Sequence, residues 1–249
     1  MFAAIKAEFR KIITVRSTYV VTGIALVLVV FFAFYATGLK ATQAALLNPY
    51  MLADQAREAI IATGTLGSLV AVLLVTHEYR YNTIMYTLTS SNSRTKTFLA
   101  KLVVVTGFAL VFSLLVAGLA PALTSLAVHI KGFNLVPQRS NVASMIWQVL
   151  FVGWGYSAMG FVFGMVIRLQ VGAISALFLI PAVVEQLLGL LMKASAIYLP
   201  YNALQAVVGQ AEKSLTHISP GKGAVVFLGY AAFGLVLAWQ LFARRDATT

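Results

Sequence analysis

Six long stretches of this chain carry no charged side chain except a single Glu: residues 17–39, 59–76, 102–128, 140–167, 169–192 with Glu185 inside, and 223–243. A helix needs roughly 20 apolar residues to cross a bilayer core about 30 Å thick. Each stretch is long enough, and within the fourth and fifth the crossing segments fall at about 144–167 and 171–192. The pattern predicts an all-α integral membrane protein with six transmembrane helices, a single transmembrane domain over 1–249, and both termini on one side.

Composition removes the soluble alternative. Hydrophobic residues make up 60% of the 249 and charged residues 10%, against about 25% charged in a soluble domain. The net charge of +11 raises nucleic acid as a partner. However, the Lys and Arg residues sit at the ends of apolar runs and not along one polar face, a placement that anionic lipid headgroups explain better than nucleic acid does. The chain has no Cys, which excludes disulfides and thiolate metal sites.

Residues 1–16 read as an amphipathic interfacial helix. Phe2, Ile5, Phe9, Ile12 and Ile13 recur at helical spacing, with Lys6, Glu8, Arg10, Lys11 and Arg16 between them. A signal peptide also begins with a basic region and an apolar run, but this basic region is long and amphipathic, and the apolar run after it exceeds a signal core. Orientation follows the basic residues. With the termini inside, the cytoplasmic segments hold eleven of the eighteen Lys and Arg residues, leaving Lys40, Arg57, Lys131, Arg139, Lys193, Lys213 and Lys222 outside. The expected location is the cytoplasmic membrane of the cell, multi-pass, with both termini cytoplasmic.

Three local features carry further expectations. The run 102–128 is longer than a perpendicular crossing requires, and Pro121 predicts a kink or break near its outer end. Gly153, Ser157, Gly160 and Gly164 line one face with small residues, a surface suited to close helix packing. The outer loop 193–222 is amphipathic, with Ile197, Tyr198, Leu199, Tyr201, Leu204, Val207 and Val208 around Pro200. It predicts a short helix that re-enters the outer leaflet or caps the bundle. An amphipathic lead-in precedes the first span and not the fourth, which argues against the inverted repeats of many secondary transporters.

The motifs of catalysis fail on inspection. His77 and Glu78 begin a zinc-protease pattern, but Tyr81 occupies the place of the second His. Gly221 and Lys222 echo a phosphate-binding loop, but Thr216 stands where its first glycine belongs. The three His residues, His77, His129 and His217, lie near membrane boundaries and form no ligand spacing. No catalytic residue and no metal site is expected in this chain. Glu185 is the one charge well inside a span. An ionised carboxylate there must face the bundle interior, pair with a cation or be protonated. It either lines a substrate path or gate, or caps or pairs with a neighbouring helix.

The polar stretch 77–101 between the second and third spans is the largest segment held on the basic side. Its residues Glu78, Tyr79, Arg80, Thr83 and Ile84, then Ser93 and Arg94, then Lys101 before an apolar helix, resemble the first cytoplasmic loop of permease subunits of the ABC type-2 family. There the pattern is a Glu and Arg, a Gly-Thr-Ile or similar, a Pro-x-Arg-like turn, and a Lys at the start of the third span. The basic first helix, six spans, long final outer loop and the close Arg244, Arg245 and Asp246 extend the resemblance over the whole chain. Asn82 replaces the usual glycine, and Ser91 to Ser93 lack the proline.

The resemblance implies a transporter half. In that family the loop folds as a coupling helix that docks on a separate ATPase subunit, and two permeases join two ATPases, the partner binding ATP and Mg. Tyr79, Thr83, Ile84, Tyr86 and Leu88 would form the docking knob, with Glu78, Arg80, Arg94 and Lys101 orienting it. Arg10, Lys11 and Arg16 of the connecting helix would contact lipid phosphates, the ATPase or both. The expected complex is an ATP-hydrolysing translocase of hydrophobic or amphipathic cargo, such as a drug, antibiotic, peptide or lipid, with a second copy or a similar permease completing it. The alternatives are an ion-coupled carrier or channel using Glu185, and a membrane anchor for a cytoplasmic complex.

Overall fold

The computed structural model describes residues 1–91, 93–139, 141–209 and 218–245. Asp246, and Lys213, Thr216 and His217 of the last loop, lie outside the described residues. Among the described residues every regular element is helical, and six helices have the length and apolar character to cross a membrane. They are Arg16–Leu39, Met51–Arg80, Arg94–Ile130, Val142–Ile167, Gln170–Tyr198 and Pro220–Arg244.

The chain begins with α1 (Phe2–Thr14), separated from α2 (Arg16–Val30) by one extended residue, Val15. The first span widens into a π-helical stretch over Phe31–Leu39. There the first span lies tight against the third: a Cβ at Gly38 would stand 2.4 Å from that of Ala127, and Thr124 Oγ1 donates 3.0 Å to Ala33 O. After the single turn α3 (Gln43–Leu46) come α4 (Met51–Arg80), α5 (Ile84–Ser91) and α6 (Arg94–Ile130). The fourth span is α7 (Val142–Ile167). The fifth comprises α8 (Gln170–Leu179), a π-helical stretch at Ile180–Val184, α9 (Glu185–Met192) and a 3-10 stretch to Tyr198. The wide turn starts beside Pro181, whose ring and missing N–H disturb the regular ladder. Then α10 (Pro200–Val207) precedes α11 (Pro220–Arg244).

The helices outrun the uncharged intervals. α4 begins eight residues before position 59 and keeps its charged ends helical, and α6 runs unbroken through Pro121. At 37 residues α6 is about 55 Å long, so it projects beyond the bilayer at the end where it meets α5. Of the kink or break expected at Pro121, the break is not present.

α4 and α7 form the axis of the bundle: 72% and 67% of their most apolar segments are buried, against 17% for the first span and 11% for the fifth. The small-residue face makes this possible. A Cβ at Gly160 would lie 2.6 Å from Ser68 O of α4, and one at Gly153 would lie 1.9 Å from Ser113 Oγ of α6. Larger side chains would hold these helices apart. Around the axis, Phe112, Val116, Val149, Tyr156, Leu204 and Phe227 form the main core. A second core of Ile12, Val75, Ile84, Phe98, Phe161 and Phe242 lies at the end bearing α1 and α5. α10 packs against α11 and α7, with Tyr201, Leu204, Val207 and Val208 in the main core. It is a short helix within the last loop, where the sequence predicts one that re-enters the outer leaflet or caps the bundle.

Candidate functional site at the α4 to α6 corner

The corner begins where α4 stops. Thr83 N–H donates 2.9 Å to Glu78 O, Asn82 N–H donates 3.3 Å to Tyr79 O, and Asn82 has φ of +53°. A left-handed residue flanked by those two bonds is the Schellman arrangement that ends a helix. Glycine suits that position because it lacks Cβ, and Asn is among the few other residues that adopt it readily. The departure from the glycine pattern therefore keeps the turn intact.

From this turn α5 leaves with two faces. Ile84 is 2% exposed and, with Leu88, packs into the second core beside Phe98. Met85 and Tyr86 face outward, 45% and 78% exposed, alongside Tyr81, Thr83 and Thr89. Ile84 and Leu88 thus root α5 in the core. Tyr81, Met85 and Thr89, which the motif did not mark, share the exposed face with Tyr86.

Behind α5 four ionisable groups from three segments meet. Lys101 Nζ lies 2.9 Å from Glu8 Oε2 and 2.7 Å from Glu78 Oε1. Lys11 Nζ lies 2.7 Å from Glu8 Oε1 and also pairs with Glu78 Oε1. Glu8, Glu78 and Lys101 are buried, at 2%, 4% and 1% exposure. Desolvation alone would lower the Lys11 pKa, but the carboxylates of Glu78 and Glu8 outweigh it and hold the ammonium above its ordinary value. The cluster ties α1 to the last turn of α4 and to the second turn of α6, so a displacement of one cannot leave the others in place without exposing or orphaning a buried charge.

α1 is arranged accordingly. Ile5, Glu8 and Ile12 share the face turned to the protein, while Phe2, Phe9 and Ile13 stay exposed at 89%, 55% and 47%. The five apolar residues therefore serve two surfaces instead of the one lipid-facing stripe the spacing suggested. Arg10 and Arg16 are exposed; Lys11 is half-buried in the cluster.

The remaining cations hold helix ends. Arg94 donates from Nη1 to Phe242 O, Ala243 O and Arg245 O at 3.2, 3.0 and 2.8 Å. Carbonyls at the end of α11 have no intrahelical partners, so a guanidinium there satisfies them and complements the helix dipole. Arg245 Nη1 donates to Val166 O of α7 at 2.9 Å. Arg80 Nη1 donates to Gln170 Oε1 at 3.1 Å, and the Arg168 guanidinium lies 5.0 Å from the Tyr79 ring centre. Of the residues singled out by the motif, Glu78 and Lys101 meet in one buried cluster. Thr83 and Tyr86 lie on the outer surface, and Tyr79, Arg80 and Arg94 brace neighbouring helices.

Glu185 lies on the other side of the bundle. Its Oε1 accepts from Tyr201 N–H at 2.8 Å and its Oε2 from Asn202 N–H at 3.1 Å, with the side chain buried. α10 starts at Pro200 and its N-cap, Leu199, has no side-chain acceptor. Glu185 supplies from another helix the acceptor that α10 lacks, and its negative charge faces the positive end of the helix dipole. Both oxygens are occupied by that role.

The structure so far defines a multi-pass helical membrane protein with a rigidly braced polar corner between its second and third spans. Residues 4–184, most of the chain, match the family described as ABC-2 family transporter protein. The chain belongs to that family and is a permease of the ABC type-2 class. No curated protein matches the chain.

Proposed function

We propose that this chain is the membrane half of an ATP-driven exporter, set in the cytoplasmic membrane with α1, α5 and both termini on the cytoplasmic side. A separate ATPase subunit, which binds the ATP and Mg, docks on the corner 77–101. A second copy or a similar permease completes the path, and the cargo is amphipathic or hydrophobic: a drug, an antibiotic, a peptide or a lipid. One observation carries the reading. α5 is a short helix fixed at its root by Ile84, Leu88 and the Asn82 turn, yet it offers exposed Met85 and Tyr86. Aromatic and Met side chains held on a rigid support are what a docking surface needs. The buried charge cluster links that support to α1, α4 and α6, so a push on α5 reaches three helices at once.

The test uses the permease co-expressed with its ATPase. Tyr86→Ala should weaken co-purification and lower the permease-dependent ATPase rate, on the order of tenfold or more if Tyr86 is a central contact. Folding should be unaffected, since the ring is outside the core. Unchanged co-purification and ATPase rate would show that the corner is not the docking site. A complex that forms and hydrolyses ATP but moves no cargo in vesicles would instead indicate an anchor. Arg94 is a poor probe of docking: a carboxylate in its place would repel the carbonyls at the end of α11 and disturb the chain from within.

A further inference from the structure

A cavity of about 650 Å³ opens where α1 turns into α2, walled by the last turns of α4 and by α5. Its volume is in the range of pockets that hold small ligands. Leu73, Leu74 and Val15 line its apolar side; Arg16, Ser17 and Glu78 line its polar side. Two polar atoms here are buried with no hydrogen-bond partner among the described residues: Glu78 Oε2 and Ser17 Oγ. Buried polar atoms ordinarily find partners, and Glu78 is 96% buried.

We propose that this cavity holds an anionic phospholipid whose headgroup carries a hydroxyl, as in phosphatidylglycerol, in the leaflet at the basic end. Tyr81, Thr83 and Tyr86 also wall the cavity, so the lipid would share with the ATPase the face on which the docking reading rests, and lipid retention by the chain alone tests the lipid without the partner. The position indicates a lipid: α1 directs Phe2, Phe9 and Ile13 away from the protein, which sets the level of the headgroups beside the cavity, and the exposed apolar face of α2 at Tyr19 and Val20 continues from it as a bed for acyl chains. The charge indicates an anion. Lys11 and Lys101 are balanced by Glu8 and Glu78, whereas the exposed Arg16 adds one positive charge at the cavity wall, which a single phosphodiester would neutralise. The free carboxylate oxygen indicates a hydroxyl. Both lysines already pair with Glu78 Oε1, so a third ammonium would be repelled, whereas a neutral O–H can donate to Oε2.

The experiment is native mass spectrometry of the full chain extracted from nanodiscs containing equal phosphatidylglycerol, phosphatidylethanolamine and phosphatidylcholine. Phosphatidylglycerol should be retained about tenfold over phosphatidylcholine, the factor expected for one charge-assisted contact. Arg16→Ala, a change at an exposed side chain, should lower that retention by a similar factor, and Ser17→Ala by less. A photoreactive phosphatidylglycerol should label residues within 73–87. Equal retention of the three lipids overturns the proposal, as does retention unaffected by Arg16→Ala. Preference for phosphatidylethanolamine overturns the hydroxyl assignment. Displacement of the lipid by soluble glycerophosphoglycerol at matching concentration would show a site for free phosphodiesters and no lipid site.

Discussion

The two ends of the molecule bury acid in opposite ways. At the α5 end, Glu8 and Glu78 are neutralised by two lysines that arrive from α1 and from α6. At the α10 end, Glu185 pairs with no cation among the described residues and is held by two backbone N–H groups. The first arrangement couples separate helices through side chains, each of which is costly to leave alone. The second fastens one short helix to one span through a dipole that costs little to disturb. An end that must transmit motion between elements and an end that must only be closed would be built in these two ways.

The largest test of that contrast is Lys101→Ala. It removes the cation shared by both carboxylates at a site 1% exposed, and breaking a buried pair from one side costs about 3–5 kcal/mol. Thermal unfolding in detergent should show a strong loss of stability, and hydrogen exchange should rise in α1 and α5 as well as in α6. The double variant Glu8→Ala/Lys101→Ala should lose clearly less than the sum of the single variants, because one orphaned charge leaves with its partner. Additive losses would mean that the cluster is not a unit.

Glu185→Ala should cost less, about 0.5–2 kcal/mol for a lost N-cap acceptor, and its effect should stay local. Amide exchange at Tyr201 and Asn202 should accelerate while α1 and α5 keep their protection. Glu185→Gln, which retains one carbonyl acceptor, should fall between. Exchange spreading to the α5 end would erase the distinction between the two ends.

The difference also marks what could be read from the residues alone. The six spans were legible because bilayer thickness sets a length that apolar runs must meet, whatever the packing. The ends of the helices were not, since α4 and α6 carry charged residues whose partners come from elsewhere in the chain. Glu8 and Lys101 are 93 residues apart, and no local spacing links them. One clue was present: Glu8 stands between Ile5 and Ile12 on the inward face of α1, where a charge needs a buried partner. The exposed Met85 and Tyr86 separate from buried Ile84 and half-buried Leu88 only once α5 is helical. The position of Glu185 in an apolar run shows that it needs a partner, but the acceptor role depends on α10 folding back to it.

The smallest effect concerns the turn that sets the direction of α5. Asn82 holds φ of +53°, a conformation that costs a non-glycine residue about 1–2 kcal/mol, and more with a branched Cβ. Asn82→Gly should leave thermal stability unchanged or slightly higher, whereas Asn82→Val should lower it by about 1–2 kcal/mol. Because Asn82 is exposed, none of that loss would come from packing. The Val variant should also loosen α5, seen as faster exchange at Thr83, whose N–H closes the turn on Glu78 O. If Val and Gly behave alike, the turn is not held by the backbone conformation of residue 82. The rigidity of the corner would then rest on the charge cluster and on Ile84 alone.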